Sequence, residues 1–434
     1  MNIAYLCADF GVPIFGYKGA SIHVREMLAA LRKAGHAVCI ISPAIEKTAG
    51  ERLDESVVLL PVPAAERHLL LSQELEALDE FLDMKTRVRQ ELRNLLYSLT
   101  LYEKARDYLR ANPVDFIYER YTLFASAGIR LAREFGVPHI LEVNAPLAYE
   151  QEKTRGMEMK ALAAETERRI FCEAGRVIVV SRQLQEFVIS CGVPASRIQI
   201  LPNSVDPQRF AKARGDRSVR TRHRLDGKRV IGFVGSLKPW HGTETLFEAF
   251  LALHATAANA HLLIVGDGPS RAHLENYAQT HGLNGAVTFT GNVPYDDIPR
   301  YIVAMDIAVA PYIPSENFYY SPIKIFEYMA MGKPVVGGKI GQVEEVIADG
   351  ETGVLFEPGN IAALQAALVQ LVNDSQLCRR LGENARVWVE RERTWDNNAR
   401  QVVEMMESVK RKTCLVYELR FTPNFSKSQN LKLP

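Results

Sequence analysis

The stretch from Ser321 to Asn360 contains the residue pair whose types and spacing best suit chemistry. It begins SPIKIFEYMAMGKPVV, with a lysine at 324 and a glutamate at 327. Apolar residues recur around this pair at helical spacing, so we expect a short helix over 322–331 in which the lysine and the glutamate share one face. Three residues suit the ends of this helix: Ser321 as N-cap, Pro322 in the first turn and Gly332 just past the last turn.

Lysine and glutamate in this arrangement suit a nucleotide. The first turn of a helix presents unpaired N–H groups and a partial positive charge, and Lys324 adds a cation to that anion site. Glu327, one turn further on, accepts hydrogen bonds, and the vicinal hydroxyls of a ribose are donors at a matching separation. The alternative is an ordinary surface pair, which contributes only about 0.2 to 0.5 kcal/mol to helix stability.

The longer pattern around this pair resembles a known family. The run KIFEYMAMGKPVV, followed by Gly341, Glu345 and DGETGVLFEPGN, is similar to the nucleotide-sugar signature of the retaining glycosyltransferase family 4, whose fold is called GT-B. The resemblance implies that a sugar is transferred from a nucleoside diphosphate sugar, such as a UDP or GDP sugar, with retention of configuration. It also implies that no metal and no cofactor is needed besides this donor substrate.

One position departs from the family pattern. Family members carry two glutamates with seven residues between them, whereas this chain has Tyr319 at the first of these positions. Glu316 lies nearby but three residues out of register. Family branches that read SPxKxFEYMA share this departure, and there the lysine takes over part of the donor contact. The residue that faces the sugar is left unassigned.

Length and composition indicate a globular protein of two domains without an obvious macromolecular partner. The chain has 434 residues and an almost balanced charge, 52 Lys+Arg against 51 Asp+Glu, which gives no indication of nucleic-acid binding. Six cysteines occur singly, without zinc or disulfide spacing, and indicate a reducing cytoplasm. We expect neither a signal peptide nor a membrane span, so any membrane contact would be peripheral, on the cytoplasmic face. The oligomeric state has no sequence signal.

The first half begins with a βαβ unit whose connecting loop is rich in glycine. A strand over 3–7, a loop over 9–20, a helix over 21–34 and a strand over 37–42 predict ligand binding at the carboxyl end of the first strand. The resemblance places Gly16 and Gly19 near the donor phosphates. His23, in the first turn of the following helix, either points into the cleft or packs beneath the loop.

Residues 66–110 form a leucine-rich, helix-favouring excursion with arginines between the leucines. Two interpretations are open. The excursion either covers the N-terminal domain, or it presents a basic amphipathic face to a membrane or a lipid-linked acceptor.

LEVNAP supplies the candidates for catalysis. Family members place a histidine or aspartate against the donor sugar after the corresponding strand, so Glu142 and Asn144 are the matching residues, with Asn144 nearer the motif position. An asparagine cannot serve as a general base, which agrees with a retaining mechanism in which the donor's own phosphate oxygen accepts the acceptor proton. Glu142 as base or nucleophile is the competing hypothesis, although it could simply pair with Arg120 or Arg155.

The second half repeats the strand–helix alternation and places its turns at strand ends. GSLKPWHG stands where the family has an arginine and a lysine for the pyrophosphate, and here Ser236 and His241 occupy those positions with Lys238 between them. The functional interpretation is that Lys238, His241 and Lys324 share the phosphates; the alternative is a degraded site. Gly266 lets backbone approach the nucleoside, and Val293 lies at the family's base-reading position.

These patterns predict a GT-B protein with two Rossmann-like domains whose parallel sheets face an interdomain cleft. We expect a glycosyltransferase that acts on a sugar, lipid-linked or small-molecule acceptor. The alternatives are a non-catalytic nucleotide-sugar-binding subunit and a nucleotide-sugar epimerase on the same fold. The expected domains are an acceptor-side domain over 1–205, a linker over 206–229, a donor domain over 230–390, a helix over 391–412 that crosses back, and a poorly ordered tail over 413–434.

Overall fold

Strands and helices alternate along the chain in the computed structural model, which describes residues 1–45 and 53–421. Within these residues the strands form two parallel sheets, one in each half, which confirms the predicted α/β class. The order of the first sheet is β3-β2-β1-β4-β5-β6-β7, and that of the second is β10-β9-β8-β11-β12-β13. The strands are β1 (Asn2–Cys7), β2 (Ala37–Ser42), β3 (Val58–Pro61), β4 (Phe116–Arg120), β5 (His139–Val143), β6 (Arg176–Val179), β7 (Ile198–Ile200), β8 (Arg229–Val234), β9 (Ala260–Val265), β10 (Val287–Phe289), β11 (Ile307–Ala310), β12 (Val335–Gly338) and β13 (Gly353–Phe356).

Helices cover both faces of each sheet. Ile3 and Tyr5 of β1 belong to one buried cluster, whereas Ala4 and Leu6 belong to another, because successive side chains of a strand point to opposite faces. The helices are α1 (Gly19–Lys33), α2 (Glu66–Phe81), α3 (Val88–Ala111), α4 (Ala127–Phe135), α5 (Leu147–Arg155), α6 (Lys160–Glu173), α7 (Arg182–Ser190), α8 (Pro207–Ala211), α9 (Ser218–Arg222), α10 (Thr243–His254), α11 (Arg271–Thr280), α12 (Ile298–Ala304), α13 (Ile323–Ala330), α14 (Gln342–Val346), α15 (Ile361–Asn373), α16 (Ser375–Glu392) and α17 (Trp395–Phe421).

The segment 206–229 differs from the solvated linker that its polar sequence suggested. It forms α8 and α9, and Phe210, Val219 and Leu225 are buried in the core of the C-terminal half. These three apolar side chains are widely spaced among arginines, so composition alone concealed a packed segment. The linker interpretation is therefore corrected: 206–229 is part of the C-terminal domain.

The chain crosses between the two halves at two adjacent places. Val205 pairs with Thr394 in a parallel bridge, and Val205 exchanges backbone hydrogen bonds with Arg393 and Trp395 at 3.1 and 3.2 Å. After this bridge α17 packs against α1, and Trp395 is buried in the N-terminal core. The helix continues to Phe421, nine residues into the segment that the sequence assigned to a tail, and 422–434 lie outside the described residues.

Helices α2 and α3 form the excursion. Its arginines have intramolecular partners: Arg87 donates to the Arg155 carbonyl at 2.7 Å, Arg89 pairs with Glu76 at 2.8 Å, and Arg93 lies over the Phe10 ring at 4.6 Å. These contacts favour the interpretation of a covering layer over that of a free basic face. Within the described residues, no helix combines the length and hydropathy needed to cross a bilayer.

Candidate functional site

Helix α13 carries the lysine–glutamate pair at the boundary between the two halves. Gly332 follows it with a left-handed φ of +65°, as predicted. The prediction that Ser321 is the N-cap is wrong: Pro322 occupies that position without a side-chain cap. The Ser321 hydroxyl instead accepts a 2.8 Å hydrogen bond from the Asn203 N–H, and Asn203 Nδ2 donates to the Ser321 carbonyl at 2.5 Å. The helix start is thus held by the N-terminal domain.

Lys324 places a buried ammonium group beneath the turn that follows β8. Its Nζ lies 4.1 Å from the centre of the Phe233 ring, and a Cβ on Gly235 would stand 2.6 Å from it. Among the residues that the structure describes, this Nζ has no hydrogen-bond partner. Burial lowers the pKa of Lys324 to about 7, although the Glu327 carboxylate opposes this shift. An anion at the glycine turn would satisfy this group.

Glu327 is buried one turn further along α13. Burial raises the pKa of Glu327 to about 7, against the effect of a hydrogen bond from the Tyr295 hydroxyl. The Tyr295 ring is covered by the Arg209 guanidinium at 5.0 Å, and Arg209 Nη1 lies 2.6 Å from Glu26 Oε1 on α1. Tyr295, Arg209 and Glu26 could not be predicted from local sequence, because they meet Glu327 only in the folded chain.

The turn GSLKPWHG brings two further basic side chains to the same edge. The His241 ring hydrogen-bonds through Nδ1 to the Ser236 carbonyl, which requires a proton on Nδ1 and leaves Nε2 as an acceptor. Burial and the neighbouring Lys324 lower the pKa of His241 to about 3. The Lys238 ammonium lies 4.7 Å over the Trp240 ring, and burial, together with the charge of Lys18 from the N-terminal domain, lowers its pKa. Ser236 contributes its carbonyl to this arrangement.

Close approaches of neighbouring atoms explain the glycines at 266 and 16, whereas the backbone at Gly19 has room for a side chain. Gly266 has a φ of +134°, and a Cβ there would stand 2.1 Å from the Gly235 carbonyl. A Cβ on Gly16 would meet Pro13 at 2.8 Å, and a Cβ on Gly19 would lie 3.9 Å from Ile323 at the start of α13. Val293 is half-buried after the turn at Gly291. The glycine loop of the N-terminal half therefore meets the start of α13 across the domain boundary.

The catalytic candidates form a buried polar cluster in the N-terminal half. Glu142 Oε1 lies 2.6 Å from His23 Nε2 and 3.3 Å from Arg120 Nη1, and its Oε2 accepts a 2.6 Å hydrogen bond from Tyr118. Burial by itself raises the pKa of Glu142, but His23, Arg120 and Tyr118 outweigh it and lower the pKa to about 2. Asn144 Nδ2 also donates to Glu142, and the Asn144 side chain is half-buried.

His23 joins this cluster to the domain boundary. Its Nδ1 lies 2.5 Å from Asn203 Oδ1, and the amide nitrogen of the Asn203 side chain holds Ser321. Both ring nitrogens of His23 face oxygen atoms, and the ring packs edge-on against Trp395 at 5.1 Å. A continuous path of contacts therefore runs from Glu142 to the start of α13. The structure brings together the two candidate groups that the sequence placed in separate halves.

Family models match most of the chain in two adjacent segments. Residues 17–209 match the model described as Glycosyltransferase Family 4, and residues 217–388 match the model described as Glycosyl transferases group 1. The two matched segments correspond to the N-terminal and C-terminal halves described above.

Curated relatives are glycosyltransferases of modest identity. Alpha-D-kanosaminyltransferase of Streptomyces kanamyceticus is 28% identical over 260 residues, which cover 59% of this chain and 66% of the relative. A GDP-mannose-dependent alpha-(1-6)-phosphatidylinositol monomannoside mannosyltransferase of Mycobacterium tuberculosis is 28% identical over 255 residues, covering 58% and 66%. The chain thus spans just under two thirds of these relatives. An uncharacterised glycosyltransferase of Methanocaldococcus jannaschii is 24% identical, covering 93% of this chain and 97% of the relative.

Solved structures share the fold over nearly the whole chain. Sucrose-phosphate synthase from Thermosynechococcus elongatus superposes with a TM-score of 0.71 at 20% identity, covering 95% of this chain and 99% of that one. Anabaena HepE, solved in complex with UDP, has a TM-score of 0.69 at 18% identity, with 94% and 100% coverage. These likenesses support the two-domain architecture described above.

Proposed function

The chain belongs to glycosyltransferase family 4, group 1, with the GT-B fold, and on this premise we propose that it transfers a sugar from a nucleoside diphosphate sugar to an acceptor. The N-terminal domain holds the acceptor, and the C-terminal domain holds the donor. Such a division agrees with two sets of loops at the carboxyl ends of parallel strands that face one cleft.

The observation that carries this proposal is the buried ammonium of Lys324. A buried cation without a hydrogen-bond partner among the described residues destabilises the fold unless an anion binds it. Lys324 lies in the first turn of α13 and below the glycine turn after β8, a place where a phosphate binds readily. Lys238 and His241 flank the same turn. We assign the diphosphate to these three residues, with the Gly16 and Gly19 loop closing over it from the other domain. His241 takes part as an imidazolium, because the negative charge of the bound diphosphate favours protonation of Nε2, which then donates to a phosphate oxygen.

Glu327 takes the ribose in this proposal. Its ionised carboxylate accepts hydrogen bonds from the two ribose hydroxyls, while Gly266 and the backbone at Val293 lie beside the nucleoside. Cationic side chains at the diphosphate take the role that a metal plays in other transferases, so activity is expected to persist in the presence of a chelator.

We propose a retaining reaction that proceeds on the face of the donor sugar next to Asn144. The bond between the anomeric carbon and the diphosphate oxygen breaks, and the acceptor oxygen bonds to that carbon on the same face. The acceptor proton passes to the departing diphosphate oxygen, so no protein base is required. Glu142 is unsuited to attack the sugar, because its carboxylate is buried and held by His23, Arg120 and Tyr118. It orients His23 and Asn144 instead.

A thermal-shift panel of UDP, GDP, ADP, CDP and dTDP tests the donor site. A ligand that binds only the folded state raises the melting temperature with its concentration, so the correct nucleotide should stand out. Glu327→Ala and Lys324→Ala should each abolish that shift. If no nucleotide stabilises the wild type, the assignment of the donor site fails.

Product analysis separates a transferase from the two alternatives. An epimerase would interconvert donors without an acceptor, and a non-catalytic subunit would bind nucleotide without turnover. We expect donor consumption to depend on added sugar, lipid-linked or small-molecule acceptors, and the new anomeric bond to keep the configuration of the donor by NMR.

A further inference from the structure

Three consecutive side-chain contacts join Glu327 to the N-terminal domain. The Tyr295 hydroxyl hydrogen-bonds to Glu327, and the Arg209 guanidinium covers the Tyr295 ring at 5.0 Å. Arg209 Nη1 then lies 2.6 Å from Oε1 of Glu26. Four residues from separate parts of the chain thus form one row of contacts.

The row crosses the boundary between the domains at the Arg209–Glu26 pair. Arg209 lies on α8, which packs against α13 and so belongs to the C-terminal domain. Glu26 lies on α1 of the N-terminal domain, and its side chain is only 5% exposed. Separation of the domains would carry the Glu26 carboxylate away from the guanidinium.

Within the part of the chain that the structure describes, two other carboxylates act on Arg209, but neither is equivalent to Glu26. Asp206 caps α8 by accepting from the backbone N–H groups of Gln208 and Arg209. Asp296 Oδ1 lies at 3.9 Å, beyond hydrogen-bond distance, and the Asp296 side chain is half exposed, which weakens its attraction for Arg209. Loss of Glu26 therefore leaves the guanidinium held mainly by the Tyr295 ring. The orientation of that ring fixes the hydroxyl that hydrogen-bonds to Glu327.

We propose that Arg209 is a positioning residue that couples Glu327 to Glu26, so that nucleotide binding and closure of the two domains stabilise each other. This inference rests on the proposed role of Glu327 at the ribose. Coupling of this kind is reciprocal: if pairing with Glu26 favours nucleotide binding, a bound nucleotide favours the pair by the same factor.

A double-mutant cycle on nucleotide affinity tests the coupling. The probe is the member of the UDP, GDP, ADP, CDP and dTDP panel that binds the wild type, and its Kd is measured by calorimetry. Glu26→Gln and Tyr295→Phe should each weaken binding by about fivefold or more, and the double variant should be no weaker than the worse single variant. Arg209→Lys, which keeps the charge but loses the planar contact with the ring, should also weaken binding.

The control is Glu390→Gln. Glu390 Oε1 lies 2.8 Å from Nη2 of Arg214, another arginine of the C-terminal domain, and neither residue belongs to the row. We expect the Kd of this variant to stay within about twofold of the wild type, since the effect of the row is specific.

Small-angle scattering supplies a second readout that a merely structural role would not change. Saturating nucleotide should lower the radius of gyration of the wild type, and the decrease should be smaller in Glu26→Gln. Unchanged affinity in Glu26→Gln, or strictly additive losses in the double variant, overturn the coupling while leaving the donor site intact. A wild type that binds no nucleotide overturns the proposed function and this coupling together. Should Glu26→Gln fail to fold, Arg209→Lys and Tyr295→Phe complete the cycle.

Discussion

The Tyr319 hydroxyl donates a 2.8 Å hydrogen bond to Oε2 of Glu150, which joins the segment before α13 to α5 of the opposite domain. Tyr319 stands where the family signature has a glutamate, so here a carboxylate reaches this part of the cleft from the other domain. Glu150 is partly exposed and its charge acts on Lys238 of the phosphate turn. These contacts make Glu150 our candidate for the unassigned sugar-facing role.

Tyr319→Phe and Glu150→Gln should each lower kcat/KM for the nucleotide sugar by about tenfold, because a hydrogen-bonded carboxylate at the sugar is lost or misplaced. The Kd of the free nucleoside diphosphate should change less than kcat/KM, by about threefold at most, because Glu150 acts on the phosphate site only through its charge on Lys238. Steady-state kinetics measures kcat/KM, and calorimetry on the same preparations measures the Kd of the nucleoside diphosphate.

Tyr319→Glu combined with Glu150→Ala supplies the carboxylate from the position that the family pattern favours. We expect this double variant to recover part of the activity lost in Glu150→Ala alone. Equal activity of the two variants would show that a carboxylate at position 319 does not take over the role of Glu150.

Nucleotide affinity should pass through a maximum near neutral pH. Burial raises the pKa of Glu327 to about 7 and lowers that of Lys324 to about 7. The site needs an ionised carboxylate for the ribose and a charged ammonium for the phosphate, so binding weakens below this range as Glu327 takes up a proton and above it as Lys324 loses one. Calorimetric Kd values between about pH 5.5 and about pH 8.5 check the profile.

Two variants test separately the loss of nucleotide affinity at acidic pH and the loss at alkaline pH. Glu327→Gln should bind more weakly and lose the acidic limb, and Lys324→Arg should lose the alkaline limb because a guanidinium stays charged throughout. Burial also raises the pKa of Glu26 to about 7, and Glu26 reaches the ribose site through Arg209 and Tyr295. An acidic limb that persists in Glu327→Gln but disappears when Glu26→Gln is added would assign the remaining titration to Glu26.

Glu142→Gln should destabilise the fold by about 3 kcal/mol at neutral pH, because the interactions of His23 and Arg120 with a carboxylate are lost. The folded pKa of Glu142 is lowered to about 2, below its unfolded value of about 4.3, so its contribution is fully present above the unfolded value and is lost as the pH falls through the folded one. Urea unfolding near pH 7 and near pH 3 should therefore show a smaller difference from the wild type at the lower pH.

Leu141→Ala, in the same buried strand, is the control for this pH dependence. It removes apolar contacts only, so its cost of about 2 to 5 kcal/mol should be the same at both pH values. A Glu142→Gln effect equally insensitive to pH would contradict the assigned ion pairs.

Gly235→Ala should weaken nucleotide binding by about tenfold or more, since the new methyl group would stand 2.6 Å from the Lys324 ammonium at a φ of +141°. Gly227→Ala offers a comparison, because Gly227 also has a positive φ, of +74°, but has open space around it. We expect that variant to lose some stability and keep its nucleotide affinity; calorimetry and thermal unfolding measure the two effects separately. Equal loss of affinity in both variants would attribute the effect to backbone strain.

Local spacing was sufficient to locate α13, the glycine loops and the parallel strands. Ile323 and Phe326 repeat at helical intervals, and Gly332 ends the helix with a conformation that glycine favours, so both features can be read from neighbouring residues. The interdomain cleft and the assignment of the donor to the C-terminal domain were predicted from the family pattern, because residue spacing alone does not specify them.

Partners from the opposite domain could not be predicted in this way. Tyr319 and Glu150 are 169 positions apart, and Ser321 and Asn203 are 118 apart. Ser321 has a side chain typical of an N-cap, yet its hydroxyl accepts a hydrogen bond from the backbone N–H of Asn203. A contact with the other domain thus uses the hydroxyl that would otherwise cap the helix. Phe210 and Val219 were likewise concealed by the polar residues around them.

The bridge between Val205 and Thr394 limits how the two halves can move. Two adjacent chain crossings that share hydrogen bonds resist twisting more than bending, so we expect the two halves to bend about one axis and to twist little. Motion about a single axis would bring the facing residues of the two domains back to the same relative position each time the cleft closes. A single peptide-bond cut in either crossing would leave the halves joined through the other, so the connection between the halves is mechanically redundant.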